Sequence, residues 1–413
     1  MMTRPFPWWD RRCQEAWSKK EAAWRRNDMA SYAKLSKKAT HVYNKALCQH
    51  QNRIRKKLAK GTNSRHWWQM TKDITGFAPK KQTVTPKADA LAKFFTEKFC
   101  IPNEESAELP DLPDEEFESV LRTFRVKQNR IRTVLKKLDE SKSVGLDGVS
   151  PRVLKQCAGP LSKPITRLFQ KIVRTGIFPK SWKIARVTPI HKKGPSTLPS
   201  NYRPISVLPT LSTTFERVLL PQLRSCLLPY IPDEQFGFVP GTGTADVGVI
   251  IADEVATALE AREELRVVAL DIRGAFDRVW WRGLLAHLQS IGIRGRALAL
   301  LKSYLSDRSF VVATNGEESE VCQIRSGVPQ GGIQSPLFLI CLSEDCLRKP
   351  GMQQCYVTLL MQTPTGERET SAALLNSDIE RILKFGKKWL LEFEAKKTKA
   401  ITISKKRDVV NVP

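Results

Sequence analysis

At 413 residues with 41% hydrophobic content, the chain is long enough for more than one sizeable core. Its formal net charge of +26 favours a polyanionic partner, nucleic acid or an anionic membrane face, and is poorly explained as ordinary surface solvation. No apolar run reaches the length of a membrane span, and MMTRPFPWWDRR lacks the apolar core of a secretory signal, so an intracellular location, nuclear or cytoplasmic, with no membrane partner is expected.

Residues 1–82 hold 20 Lys or Arg against 5 Asp or Glu, interleaved with Trp8, Trp9, Trp17, Trp24, Trp67 and Trp68. Residues 11–58 lack Gly and Pro and are rich in Ala, Lys, Arg and Gln, which predicts one or two basic helices inside a basic helical region over 1–100. Two readings stand side by side: a charged spacer whose tryptophans pack locally, and a surface on which single-stranded bases stack. The composition then reverses in NEESAELPDLPDEEFES (103–119), with eight acids, no bases and two prolines, which predicts an acidic linker over 101–120.

Helical segments at 128–139 and 161–174 alternate with short strands from there on, an α+β pattern. Lys192 and Lys193 follow an apolar strand and Arg203 sits ten residues further, so these cations suit a triphosphate clamp or, equally, an exposed turn. GTGT (241–244) precedes a helix but lacks the Lys of a phosphate loop and reads as a turn. The buried-strand pattern Val267 to Leu270 ends in Asp271, a carboxylate that is costly to desolvate unless a cation or hydrogen bonds meet it. It marks a metal site or a well-satisfied turn. Asp277 reads as the cap of the following helix. FVVATNGEESEVCQI (310–324) predicts a hairpin around Asn315-Gly316, and SGVPQGG predicts a glycine turn before a helix opening at Ser335-Pro336. The nine scattered cysteines, with no CxxC pair, fit reduced thiols.

Six stretches occur in one order: KSVGLDGVSPRVLK (142–155), WKIARVTPIHKKG (182–194), NYRPISVLPTLSTTFERVL (201–219), DEQFGFVPGTGTADV (233–247), LDIRGAFDRVWW (270–281) and SGVPQGGIQSPLF (326–338). Together with the tail at 374–404 they resemble the reverse transcriptase of non-LTR (LINE-like) retrotransposons of the jockey type. The resemblance implies a right-hand polymerase with fingers at 121–260, a ferredoxin-like palm at 261–413 and a thumb cut short. It implies an RNA template, a DNA primer and dNTPs, joined by a two-metal mechanism with two Mg²⁺ (or Mn²⁺) ions. Asp271 and the Ile272 carbonyl inherit the metal-ligand role. Lys192 or Lys193, Arg203, Gln330 and Gly331 inherit contacts to the nucleotide, and Phe276 the crowding of a ribose 2′-hydroxyl.

The family's second acidic element, a Tyr-Ala-Asp-Asp hairpin, has no counterpart. The equivalent stretch RKPGMQQCYVTLLMQTPTGERE keeps Cys355-Tyr356 but continues Val357-Thr358-Leu359, and no acid occurs between Asp345 and Glu367. The nearest acids, Glu344, Asp345, Glu367 and Glu369, are poor substitutes. The expectation is a polymerase by descent that is catalytically impaired, with a non-catalytic RNA/DNA-binding remnant as the alternative.

Overall fold

The computed structural model describes residues 9–58, 85–110, 120–347, 352–354, 357–363 and 368–405. Trp8, Trp67, Trp68, Cys355, Tyr356, Glu367 and the middle of the acidic linker lie outside them. The chain forms two compact units, residues 1–83 and 84–413.

In the first unit, α1 (Arg11–Arg25) and α2 (Met29–Leu58) form a helical hairpin. Asp10 starts α1 by accepting from Cys13 N at 3.0 Å, the bond an N-cap carboxylate makes to an orphan amide. Trp9 stacks edge-on with Trp17 at 5.5 Å and with Tyr43 at 6.3 Å around buried Cys13 and Ala46. Those two tryptophans therefore pack locally, whereas Trp24, 58% exposed, lies over Tyr32 on the surface. Helix α2 carries eight Lys or Arg and no acid.

The second unit begins with α3 (Ala88–Lys98), followed by α4 (Gln128–Lys136), α5 (Pro151–Gln156), α6 (Ala158–Thr175), β1 (Ile184–His191), β2 (Tyr202–Val207), α7 (Thr210–Leu227) and α8 (Thr244–Glu260). It continues through β3 (Glu264–Leu270), α9 (Trp281–Ser290), α10 (Gly295–Leu305), β4 (Arg308–Thr314), β5 (Glu317–Glu318), β6 (Cys322–Ile324) and α11 (Ser335–Leu347). The last elements are β7 (Met352–Gln354), β8 (Val357–Thr363), α12 (Arg368–Lys388) and β9 (Lys399–Ile403). Helix α4 stops three residues before its expected end because Asp139 accepts from the amide and hydroxyl of Ser141, turning the chain. The 310–324 hairpin forms as expected, with Ala313 opposite Glu318 and both Asn315 and Gly316 at positive φ. GTGT is a turn, and Asp246 caps the Gly243 amide at the start of α8.

Two sheets organise this unit. In the first, β1 lies between β2, antiparallel, and β4, parallel, with β5 and β6 returning along β4. Helix α3 covers this sheet by burying Leu91, Phe95 and Phe99 against Ala185, Val187, Phe310 and Val312. Segment 85–99 therefore packs with the larger unit. The second sheet runs β7-β8-β3-β9 with every neighbour antiparallel, and α12 buries Leu375 and Ile382 on Val268 and Leu270. The largest core joins α4, α6, α7, α9, α10 and α11. At its centre Phe169 and Phe215 meet edge-to-face at 4.9 Å, and Phe178, Trp182 and Tyr304 extend the cluster.

Candidate functional site

Strand β3 has a neighbour on each side, with Leu270 opposite Val357 of β8 and Ala269 opposite Lys399 of β9. The chain leaves the sheet between these neighbours, which places Asp271 at the mouth of the seam. Pairing continues briefly on one side: Asp271 O accepts from Glu394 N and Arg273 N donates to Glu392 O, both at 2.8 Å. Those two bonds turn the Ile272 carbonyl away from segment 392–394. The Asp271 carboxylate meets Lys397, Nζ to Oδ2 at 2.7 Å. With the carboxylate 27% and the ammonium 61% exposed, this pair is worth under about 1 kcal/mol and holds its geometry loosely.

Asp277 corrects its sequence reading. The residue before α9 is Trp280, and no side chain caps that helix. The Asp277 carboxylate is fully buried, ion-paired to Lys98 at the end of α3 and accepting from Gln330 Nε2 at 2.5 Å. The cap expectation failed because a local signal was outweighed by partners far away in sequence: a buried carboxylate needs a cation, and α3 supplies one.

The glycine turn is fastened to the Asp271 loop along its length. Gly327 N donates to Val279 O, Val328 N to Phe276 O, and the Trp281 indole to Gly327 O at 2.6 Å. On its other side Ser206 of β2 donates its amide to Gln330 O at 2.9 Å. Gly331 sits at φ +142°, where an added Cβ would overlap the Ser206 carbonyl oxygen. Gln330 and Gly331 thus link β2 to the loop that follows Asp271. Phe276 stands edge-on to Phe238 at 5.8 Å.

Two of the cations expected from the sequence, Lys192 and Arg203, sit on the β1–β2 ribbon. Lys192 follows β1, its amide held by Asn201 O at 2.8 Å, and Arg203 pairs with Ile190 across the strands. Partial burial lowers the Lys192 ammonium below the usual lysine range, and Lys98, Arg203 and Lys397 push it further down; Asp277 opposes them. Lys192 thus lies within electrostatic reach of Arg203, Lys98, Lys397 and Asp277.

Three participants escaped the sequence reading. Lys98 ends an amphipathic helix and Lys397 sits in the basic run KKTK, so neither stands out. Glu216 had a signal, an acid among apolar residues in TTFERVLL. It is fully buried on α7, and its Oε2 accepts from Ile333 N at 2.7 Å, Gln334 N at 3.1 Å and the Tyr304 hydroxyl at 3.3 Å. Burial drives its carboxyl pKa upward. It anchors the residues leading from the glycine turn into α11 by satisfying the two amides just ahead of that helix.

Among the described residues the donor set does not fit two divalent ions. Among the described residues no group of three or more Asp, Glu, His or Cys side chains is placed to hold a metal. Asp271 is engaged by Lys397, and Glu392 by Arg273 and Arg278. Strands β7 and β8, whose register brings Val357 beside Leu270, carry no acid at all. No helix among the described residues is long and apolar enough to cross a membrane.

Comparison with known proteins shows the family. The model of the family "reverse transcriptase (RNA-dependent DNA polymerase)" matches residues 190–411. The probable RNA-directed DNA polymerase from transposon BS of Drosophila melanogaster is 33% identical over 223 residues, 53% of this chain and 24% of that protein. The RNA-directed DNA polymerase from mobile element jockey of the same species is 30% identical over 261 residues, 62% of this chain and 28% of that protein. This chain spans about a quarter of the length of these relatives. More than half of it, from the end of β1 through Asp271 and Gln330 to Lys397, falls within that family match, and the chain belongs to the reverse transcriptase (RNA-dependent DNA polymerase) family.

Proposed function

We propose that this chain is the fingers and palm of an RNA-directed DNA polymerase of a non-LTR retrotransposon, which binds an RNA template, a DNA primer and dNTPs but performs nucleotidyl transfer poorly. The palm reading is supported by the second sheet. Along the chain it is built strand, helices, strand, strand, helix, strand, the split βαβ pattern of ferredoxin-like folds. The fingers reading is supported by the sheet of β1, β2 and β4, whose β1–β2 ribbon carries Lys192 and Arg203. Phe276 follows Asp271 by five residues in the chain, suited to select deoxyribose, and Gln330 is held to Asp277 just beyond it.

The observation that carries the impairment is the hairpin of β7 and β8. Reverse transcriptases depend on divalent metal in general, and in this palm reading the hairpin is where the acids that partner Asp271 belong. The segment between Asp345 and Glu367 supplies none. Loss of an essential member of a catalytic set costs several orders of magnitude in rate. The basic α1–α2 hairpin, the cation-lined mouth and the net charge of +26 keep the affinity for a phosphate backbone. Such binding falls steeply with salt and is unchanged by Asp271→Asn. The chain would do this inside the cell, in nucleus or cytoplasm, where thiols stay reduced.

Primer extension by the full chain, with a DNA primer on an RNA template and Mg²⁺, tests the reading. Extension at least about a thousandfold below that of a variant with Asp-Asp inserted between Val357 and Thr358 is expected. A two-residue insertion is the appropriate repair because side chains alternate with period two, so every β8 residue keeps its face. Robust extension by the unmodified chain that disappears in Asp271→Asn overturns the reading.

A further inference from the structure

Helix α7 contains Pro221 in its interior, and the turn around it lies in a groove shared with α4. A proline there donates no amide, so the carbonyl four residues earlier, Arg217 O, loses its helical partner. Arg130 of α4 reaches across and donates from Nη2 to that oxygen at 3.5 Å. The bond ties one wall to the other and leaves the remaining guanidinium donors open to a ligand. Both walls are also held from behind, because Ile131 and Leu135 of α4 and Leu219 and Leu223 of α7 are buried in the largest core. Gln222 accepts from the Arg125 amide at 2.7 Å and donates to the Arg125 carbonyl at 2.9 Å, which fixes α7 further. The groove is preformed.

Its chemistry is divided between floor and rim. The volume is about 460 Å³, and the floor is apolar, formed by Val134, Leu220 and Leu228, the last 45% exposed. Arg130 and Lys137 stand on the α4 side, Arg217 and Arg224 on the α7 side, and no carboxylate of the described residues lines the groove. The two cations on each side are seven residues apart, about two helical turns or about 10 Å. An exposed apolar strip with a charged rim marks an interaction surface.

A nucleic-acid strand fits this surface poorly. It carries a phosphate about every 3.4 Å of helix axis rather than in pairs two turns apart, and its bases stack on rings. No aromatic side chain of the described residues lines the groove. An amphipathic helix fits it well. Its apolar anchors at i, i+3, i+4 and i+7 fill a hydrophobic groove, and acids two turns apart on its flanks meet cations of the same spacing. The chain's own α2, basic and without an acid, has the wrong charge for the role.

We propose that the α4–α7 groove docks an acidic amphipathic helix of a partner protein. Arg130, Lys137, Arg217 and Arg224 pair with its carboxylates, and Val134, Leu220 and Leu228 receive its apolar face. This site is additional to nucleic-acid binding and uses none of the residues assigned to nucleotidyl transfer.

Fluorescence anisotropy of the full chain with a labelled synthetic helix tests the proposal. The probe is about 14 residues long, about four turns, with leucines along one face and glutamates beside them. Saturable binding is expected, at least about tenfold weaker for the same residues scrambled so that the leucines no longer share a face. Reversing one cation on each wall, Arg130→Glu with Arg224→Glu, should weaken binding at least about tenfold. Leu228→Ser, at an exposed position that should leave the melting curve unchanged, should weaken it about fivefold and keeps the test decisive if the charge-reversed chain does not fold. Equal binding of the scrambled peptide, or undiminished binding by folded variants, overturns the proposal. So does a single-stranded RNA oligonucleotide that displaces the helix and is itself lost on charge reversal, which would make the groove part of the nucleic-acid path.

Discussion

Asp277 and Gln330 lie 53 residues apart and are joined by a 2.5 Å hydrogen bond from Gln330 Nε2 to a carboxylate with no solvent exposure. The other side of that carboxylate faces the Lys98 ammonium, so one buried anion sets the position of the glycine turn and the end of α3 together. Asp277→Asn removes the anion and leaves a poorly exposed ammonium without its partner. The expected cost is about 3–5 kcal/mol in urea denaturation. Replacing both partners by apolar residues, Lys98→Met with Asp277→Leu, should recover much of it, because a buried pair often contributes little more than a well-packed apolar contact. An Asn variant that unfolds at the same urea concentration as the unmodified chain would contradict this account.

Gly331→Ala combines a φ reserved for glycine with an overlap on the Ser206 carbonyl, while Gly316→Ala has positive φ and open space around it. Backbone strain at such positions is worth about 1–3 kcal/mol. The Gly331 variant should therefore lose clearly more stability than the Gly316 variant. It should also weaken dATP binding, as Ser206 and Gln330 are forced apart. Equal melting temperatures for the two variants would argue against close docking of the turn on β2.

Glu216 is expected to tolerate Gln far better than Ala. The Gln side chain keeps an oxygen for the Ile333 and Gln334 amides, whereas Ala leaves them and the Tyr304 hydroxyl unsatisfied in the core. Several lost acceptor bonds of about 1–3 kcal/mol each make Glu216→Ala severely destabilising by thermal unfolding. The prediction fails if both variants melt together.

Glu104 supplies a pH dependence with a definite sign. Burial, aided by repulsion from Glu105, raises its pKa to about 7, against a hydrogen bond donated by the Trp281 backbone amide that lowers it. The folded state holds the proton more tightly than the unfolded chain, whose carboxyl titrates near 4.5. This contribution to stability is complete below about pH 4.5 and is lost as the pH rises to about 7. Glu104→Gln should flatten that part of the stability profile measured by urea titration between pH 4.5 and 7.5. An unchanged slope would remove Glu104 as the cause.

What could be read from the sequence was local. The strand ending in Asp271, the Asn315-Gly316 turn and the start of α11 at Ser335 each announce themselves within a few residues, through apolar runs and turn chemistry. The partners of those residues did not. Lys98 meets Asp277 only because α3 crosses the β1 sheet, and Lys397 meets Asp271 only because β9 closes the β3 sheet from the far end of the chain. Asp277 was misread for the same reason: nothing near it in sequence reports that its carboxylate is buried.

The parallel pairing of β1 with β4, Ile184 opposite Ser309, sets the order in which the molecule can be assembled. During synthesis the β1–β2 ribbon leaves the ribosome with one edge open, and β3 with Asp271 is made before the strand that closes that edge. Until β4 arrives, the open edge is a template for pairing with a strand from another chain. A fragment cut anywhere between β2 and β4 inherits that exposed edge permanently, so the β1 sheet and the β3 sheet can be made together as one polypeptide but are poorly suited to life as separately expressed pieces.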